Sequence, residues 1–101
     1  MAQRHTYTGQ RLGKLEREVL AGINKLAPHG PFTRVELARQ IGSTHNAIAR
    51  TVVKLVGMGM LHQDTIKGSP PGQPRFRYRR TRAGQHLIRG ALTNGRWPTL
   101  D

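Results

Sequence analysis

The sequence predicts a mostly α-helical domain carrying one small β-hairpin, in the order helix, helix, tight turn, helix, hairpin, helix. Three observations carry the prediction. Apolar residues recur at spacings of 3 and 4 in the first half of the chain and again near its end. The stretch "ARQIGSTHNAIARTVVKLVGMGML" is broken by Gly42, Ser43 and Thr44, so it reads as two helices joined by a turn. Finally, "RFRYRRT" alternates Arg75, Arg77 and Arg79 with Phe76 and Tyr78, the period-2 pattern of a half-exposed strand.

Each element has its own local signals. Residues 1–9 read as a flexible N-terminal arm. Helix one is expected from about Gln10 to Leu26, with Thr8 as a cap. Its inner face is Leu12, Leu15, Val19, Ile23 and Leu26, and Pro28 and Gly30 follow its end. Thr33-Arg34-Val35-Glu36 has the form of a capping box, which starts helix two at Arg34 and runs it to about Ile41 with Leu37, Ala38 and Ile41 inward. Gly42 suits the left-handed position that ends it. Thr44 or Ser43 then caps helix three, which buries Ile48, Val52 and Leu55 and turns His45, Asn46, Ala49, Arg50, Val53 and Lys54 to its other sides. "MLHQDTI" and "RFRYRRT" form the hairpin around the loop "KGSPPGQP", where Pro and Gly exclude regular structure. Thr81 caps a last helix, roughly Arg82–Leu92, with Leu87, Ile88, Ala91 and Leu92 as its apolar side. The domain is thus expected over residues 10–92, followed by a C-terminal tail over 93–101. Trp97, alone in that polar tail, reads as an anchor that docks the tail or a partner protomer.

Composition restricts the function. The chain has 101 residues, the size of one domain. It has no cysteine, which excludes thiolate metal sites and disulfides and fits a cytoplasmic protein. No apolar run approaches the roughly 18 residues that span a bilayer, and no signal-peptide core is present. Seventeen Lys+Arg face five Asp+Glu, a formal net charge of +12. Between Thr65 and Leu100 there is no acid, whereas Lys67, Arg75, Arg77, Arg79, Arg80, Arg82, Arg89 and Arg96 all fall there. Such a field attracts phosphate backbones. An anionic membrane surface would call for a basic amphipathic helix with a bulky apolar face, and the Arg-rich segment is strand and loop instead. No carboxylate pair or nucleophile elbow is available, the histidines lack metal-like spacing, and Gly57-Met58-Gly59 is a helix exit rather than a dinucleotide fingerprint. The chain is therefore expected to be no enzyme and to need no metal or cofactor.

With these elements in order, the sequence resembles the winged helix-turn-helix family, in particular small MarR-like regulators of bacteria, archaea and phages. The resemblance rests on "FTRVELARQIGSTHNAIARTVVKLVGMGML", the helix-turn-helix and its exit, and on "RFRYRRTRAGQHLI", which looks like the returning wing strand followed by the Thr-x-x-Gly start of the last helix. It implies that helix three enters the major groove of double-stranded DNA, which points to Thr44, His45, Asn46, Arg50 and Lys54. Their chemistry suits that role. Arg can take guanine O6 and N7 bidentately, Asn can take adenine N6 and N7, and Thr or His can hold a phosphate or a base acceptor. For the basic hairpin, a wing on phosphate or in the minor groove involves Lys67, Arg75 and Arg77, with Arg79 and Arg80 nearer the strand exit and suited to bracing the fold. Thr33 and Arg34, at the positive end of helix two, are candidate phosphate holders. The resemblance implies a transcriptional regulator, nucleoid-associated and homodimeric, because two half-sites multiply specificity. The length leaves no room for the long dimerisation helices and effector pocket of full-size members, so no small-molecule effector is expected. The alternative reading is an architectural, replication or RNA-associated protein of low sequence specificity.

Overall fold

Thr33 sets the register of the central motif. In the computed structural model, which describes residues 9–98, its hydroxyl accepts the Glu36 amide at 3.2 Å, and Glu36 Oε1 accepts the Thr33 amide at 2.8 Å. This reciprocal cap starts helix α2, Arg34–Ile41. Gly42 ends it at φ +72°, where an L side chain would be strained. Two residues later Thr44 caps α3, His45–Gly57, by accepting the Ala47 amide at 3.2 Å. Ser43 is passed over as the cap. The chain thus turns within three residues, and the two helices pack on each other around Leu37, Ala38 and Ile48, all buried.

Helix α1 covers Lys14–Leu26 and is followed by a 3₁₀ turn at Ala27–His29. It begins later than its apolar pattern suggested. Gly13, not Thr8, is the capping position, and its N–H donates to Glu16 Oε1 at 2.8 Å. Thr8 and the rest of the arm up to that residue lie outside the described residues. Leu12 keeps the apolar register and is buried, but it belongs to an extended segment. Its N–H donates to Gly95 O at 2.9 Å, and the Trp97 N–H donates to Gln10 O at 2.7 Å. That segment pairs antiparallel with the segment around Arg96 through an Arg11–Arg96 bridge, so pairing at a distance displaced the first helical turn. Within α1, Gly22 allows close packing: a Cβ there would stand 2.6 Å from Ile41 Cγ2 of α2.

The hairpin joins β1, Leu61–Thr65, to β2, Phe76–Arg80, antiparallel, with Leu61 opposite Arg80 and Thr65 opposite Phe76. Tyr78 faces inward and is buried, while Arg77 and Arg79 are exposed, as the alternation requires. Phe32, just before α2, exchanges both backbone hydrogen bonds with Tyr78, at 2.9 and 2.7 Å, and adds a one-residue third strand. The Phe32 and Tyr78 rings lie 6.2 Å apart. The wing is thereby fixed to the start of the helix-turn-helix.

Helix α4 runs Arg82–Asn94, two residues past its expected end, from the Thr81 cap. Thr81 donates its hydroxyl to Gly59 O at 2.6 Å and accepts the Gly84 amide at 2.9 Å. Gly84 is required because a Cβ there would overlap the Met60 carbonyl. After Gly95, Trp97 turns back into the common core with Leu20, Ile23, Leu55 and Ile88. Four helices with an antiparallel hairpin between the third and fourth make a winged helix-turn-helix.

Candidate nucleic-acid interface

Helix α3 is amphipathic in a way that settles which residues it presents. Ile48, Thr51, Val52 and Leu55 are buried. On the opposite side Asn46, Arg50 and Val53 are exposed in a line, at i, i+4 and i+7. Val53 is 66% exposed, the one large hydrophobic side chain so open among the described residues. Its position was readable from the helical period, but an apolar residue gave no signal of polar contact.

His45, the first residue of α3, sits on the flank nearest the wing. It lines a cleft of about 300 Å³ together with Arg34 and Val35 of α2 and Gly72, Gln73, Pro74, Arg75 and Phe76 of the wing. The structure thus brings three of the expected cationic or polar residues, Arg34, His45 and Arg75, around one opening. It adds Gln73 from the loop, whose part could be found only from the folded hairpin. Arg34 also lies near Tyr78: burial pushes the Tyr78 phenol above its usual range, and the Arg34 guanidinium partly opposes that shift. The proline-rich loop between the strands is internally tied, with Ser69 Oγ donating to Pro74 O at 2.6 Å and the Gln73 amide to Pro70 O at 3.1 Å. It holds Gly72–Pro74 beside the start of α3.

The remaining candidates separate. Thr33 and Thr44 are engaged as caps through their hydroxyl oxygens, and the Thr33 amide is also taken. Lys67 is exposed in the turn after β1, and Arg77 is exposed on the outer face of β2. No side-chain hydrogen bond or ion pair among the described residues engages Arg50, Arg75 or Arg77.

Lys54 is different. It lies at the border of the buried face, its side chain 20% exposed, with Nζ 3.5 Å from Glu16 Oε2 and 4.1 Å from the centroid of the Trp97 ring. It points to the α1 side of α3, away from the line formed by Asn46 and Arg50. The helical period places position 54 at an edge; only the tertiary arrangement of Glu16 and Trp97 decides which way the long side chain turns.

The acid-free run of sequence is also less isolated than it reads. Asp64 of β1 stands opposite Arg77 in register, but its oxygens meet His62 Nε2 at 2.9 Å and Arg79 Nε at 3.5 Å. Arg80 donates to Asn24 Oδ1 of α1 at 2.8 Å. Arg79 and Arg80 therefore brace the fold, and the open cations of the wing are Lys67, Arg75 and Arg77.

Among the described residues no group of three or more His, Cys, Asp or Glu is placed to hold a metal, and no helix is long and apolar enough to cross a membrane.

Comparison with solved structures finds the same architecture in the crystal structure of a MarR-like transcriptional regulator from Thermotoga maritima. The TM-score is 0.53 at 18% sequence identity, over 93% of this chain and 65% of that one. The chain thus spans less than two thirds of the length of that regulator. At this identity the likeness is one of fold, a winged helix-turn-helix. No family model matches the chain, and no curated protein matches it.

Proposed function

We propose that this protein binds double-stranded DNA in a sequence-dependent way, as a non-enzymatic transcriptional regulator. The observation that carries this reading is the exposed line of Asn46 and Arg50 along α3, beside a cleft that gathers Arg34, His45 and Arg75. Helix α3 is the element that fits a major groove, with Arg50 suited to guanine and Asn46 to adenine. Arg34, His45 and Arg75 take the flanking phosphates, and Lys67 and Arg77 follow the backbone along the wing. A winged helix-turn-helix with a formal net charge of +12 has both the shape and the long-range field for this partner. The function is exercised in the cytoplasm on nucleoid DNA, without a small-molecule effector. Two copies act together on paired half-sites, because one helix reads too few base pairs for a unique site.

The test is selection of bound sequences from random duplexes at physiological salt, with the mass of the complex measured on the winning site. A defined motif repeated at about one helical turn, bound by two protomers, is the expected result. Binding without any enriched motif would instead establish a low-specificity architectural protein.

A further inference from the structure

The polar readers of α3 leave one exposed residue unexplained. Asn46, Arg50, Val53 and Gly57 follow one another at i, i+4, i+7 and i+11, and all are exposed. Isolated exposed hydrophobics are ordinary. Val53 differs in its setting. It is 66% exposed in the third turn of a helix whose other large apolar residues are wholly or partly buried. A β-branched residue also gains nothing from a solvated helical position, where Ala, Lys or Glu would propagate the helix better. The i−4 and i+4 neighbours of Val53, Ala49 and Gly57, are small and leave its methyls open to a surface laid along this line.

We infer that Val53 is a specificity-determining residue that receives the C5-methyl group of a thymine. The inference rests on the proposal that α3 lies in a major groove. In that groove the thymine methyl is the apolar feature that distinguishes one base pair from the others. A side chain with two methyl groups and no polar atom can exclude water around it and leaves no donor or acceptor unpaired. Asn46 and Val53 are separated along the helix axis by about 10 Å, at a rise of about 1.5 Å per residue. That distance matches about three base-pair steps. The recognised half-site therefore holds an adenine for Asn46, a guanine for Arg50 and a thymine for Val53 within about four base pairs. The thymine lies toward the end of the half-site contacted by the C-terminal part of α3.

The experiment uses the full chain and the selected duplex, with each thymine replaced singly by deoxyuridine, which removes only the methyl group. Wild type is expected to lose about 3- to 5-fold in affinity at one such position and little at the others, the scale of one buried methyl. Val53→Ala, a change at an exposed site that favours the helix, is expected to bind the thymine duplex about that much more weakly and to bind thymine and deoxyuridine duplexes equally. Val53→Thr, which keeps one methyl, is expected to fall between them. Wild-type binding indifferent to every deoxyuridine overturns the inference, as does Val53→Ala keeping the full deoxyuridine loss. A fall in the mass of the free protein on Val53→Ala also overturns it, by assigning the side chain to a second copy. Failure of the broader reading looks different, because then Arg50→Ala does not change the preference for the selected site over scrambled duplex.

Discussion

The two sides of α3 use the same kind of residue in opposite ways. On the outer face of α3 and along the wing, Arg50, Arg75 and Arg77 extend from exposed positions with no side-chain partner among the described residues. Toward α1, three cations have partners within the protein, while Lys14, Arg17 and Lys25 of α1 itself are exposed. Lys54 is held by Glu16 and the face of Trp97, Arg80 by Asn24, and Arg96 donates to Gly9 O at 3.0 Å. A net charge of +12 therefore does not measure the number of groups a polyanion can meet. What matters is which cations the fold has left without internal work. Substituting the open cations should cost little stability, since exposed charges contribute little to it.

The largest expected effect lies on the braced side. Trp97 is buried in the core cluster and supports Lys54. Trp97→Ala should cost about 3–5 kcal/mol of stability, measured by chemical denaturation, while the fraction still folded keeps its ratio of specific to scrambled binding. If that ratio collapses while the fold survives, Trp97 belongs to the interface and the division between the two sides is wrong.

Next comes Arg50→Ala. It should cost about 1–3 kcal/mol on the selected site and much less on scrambled duplex, with the melting temperature almost unchanged. Equal losses on both duplexes would reduce α3 to a phosphate-holding element and favour the architectural reading.

A smaller effect sharpens the electrostatics of the wing. Since burial raises the Tyr78 phenol above its ordinary range, the folded state favours the neutral phenol. The stability this represents is fully present below the unfolded tyrosine value of about 10, and it is lost as pH rises through the folded value. An alkaline ultraviolet titration should show one tyrosine ionising late, together with loosening of the hairpin. Removing Arg34 should raise that transition further, because Arg34 favours the phenolate.

Much of this organisation was legible in the sequence because it is local. The capping box at Thr33 and Glu36, the left-handed Gly42, the Thr44 and Thr81 caps and the alternation of "RFRYRR" all act within a few residues of chain, and the structure carries each of them. What escaped was set at a distance. The first turn expected for helix one went to pairing between Gln10–Leu12 and Gly95–Trp97, eighty-odd residues along the chain. Phe32, just before the Thr33 cap, is a strand partner of Tyr78, a pairing no local pattern announces. Lys54 read as an outward cation, since periodicity fixes an angle on the helix but not the neighbour that a flexible side chain will find. The acid-free stretch read as uncompensated because Asp64 lies just before it and reaches Arg79 only across the hairpin. The line of Asn46, Arg50 and Val53 was visible in the helical period. Its relation to the cleft between α2, α3 and the wing was not.

The division between open and braced cations is tested most directly by the salt dependence of duplex binding for two single substitutions measured side by side. Each phosphate contact contributes a slope of about −0.9 in log affinity against log salt. Arg77→Ala should bring the slope about one unit closer to zero and weaken all duplexes by a similar factor. Lys54→Ala should leave the slope where it was and lower stability by roughly 1 kcal/mol, through the lost contact with Trp97. The opposite pattern, a slope that moves with Lys54 and stays fixed with Arg77, would contradict the account.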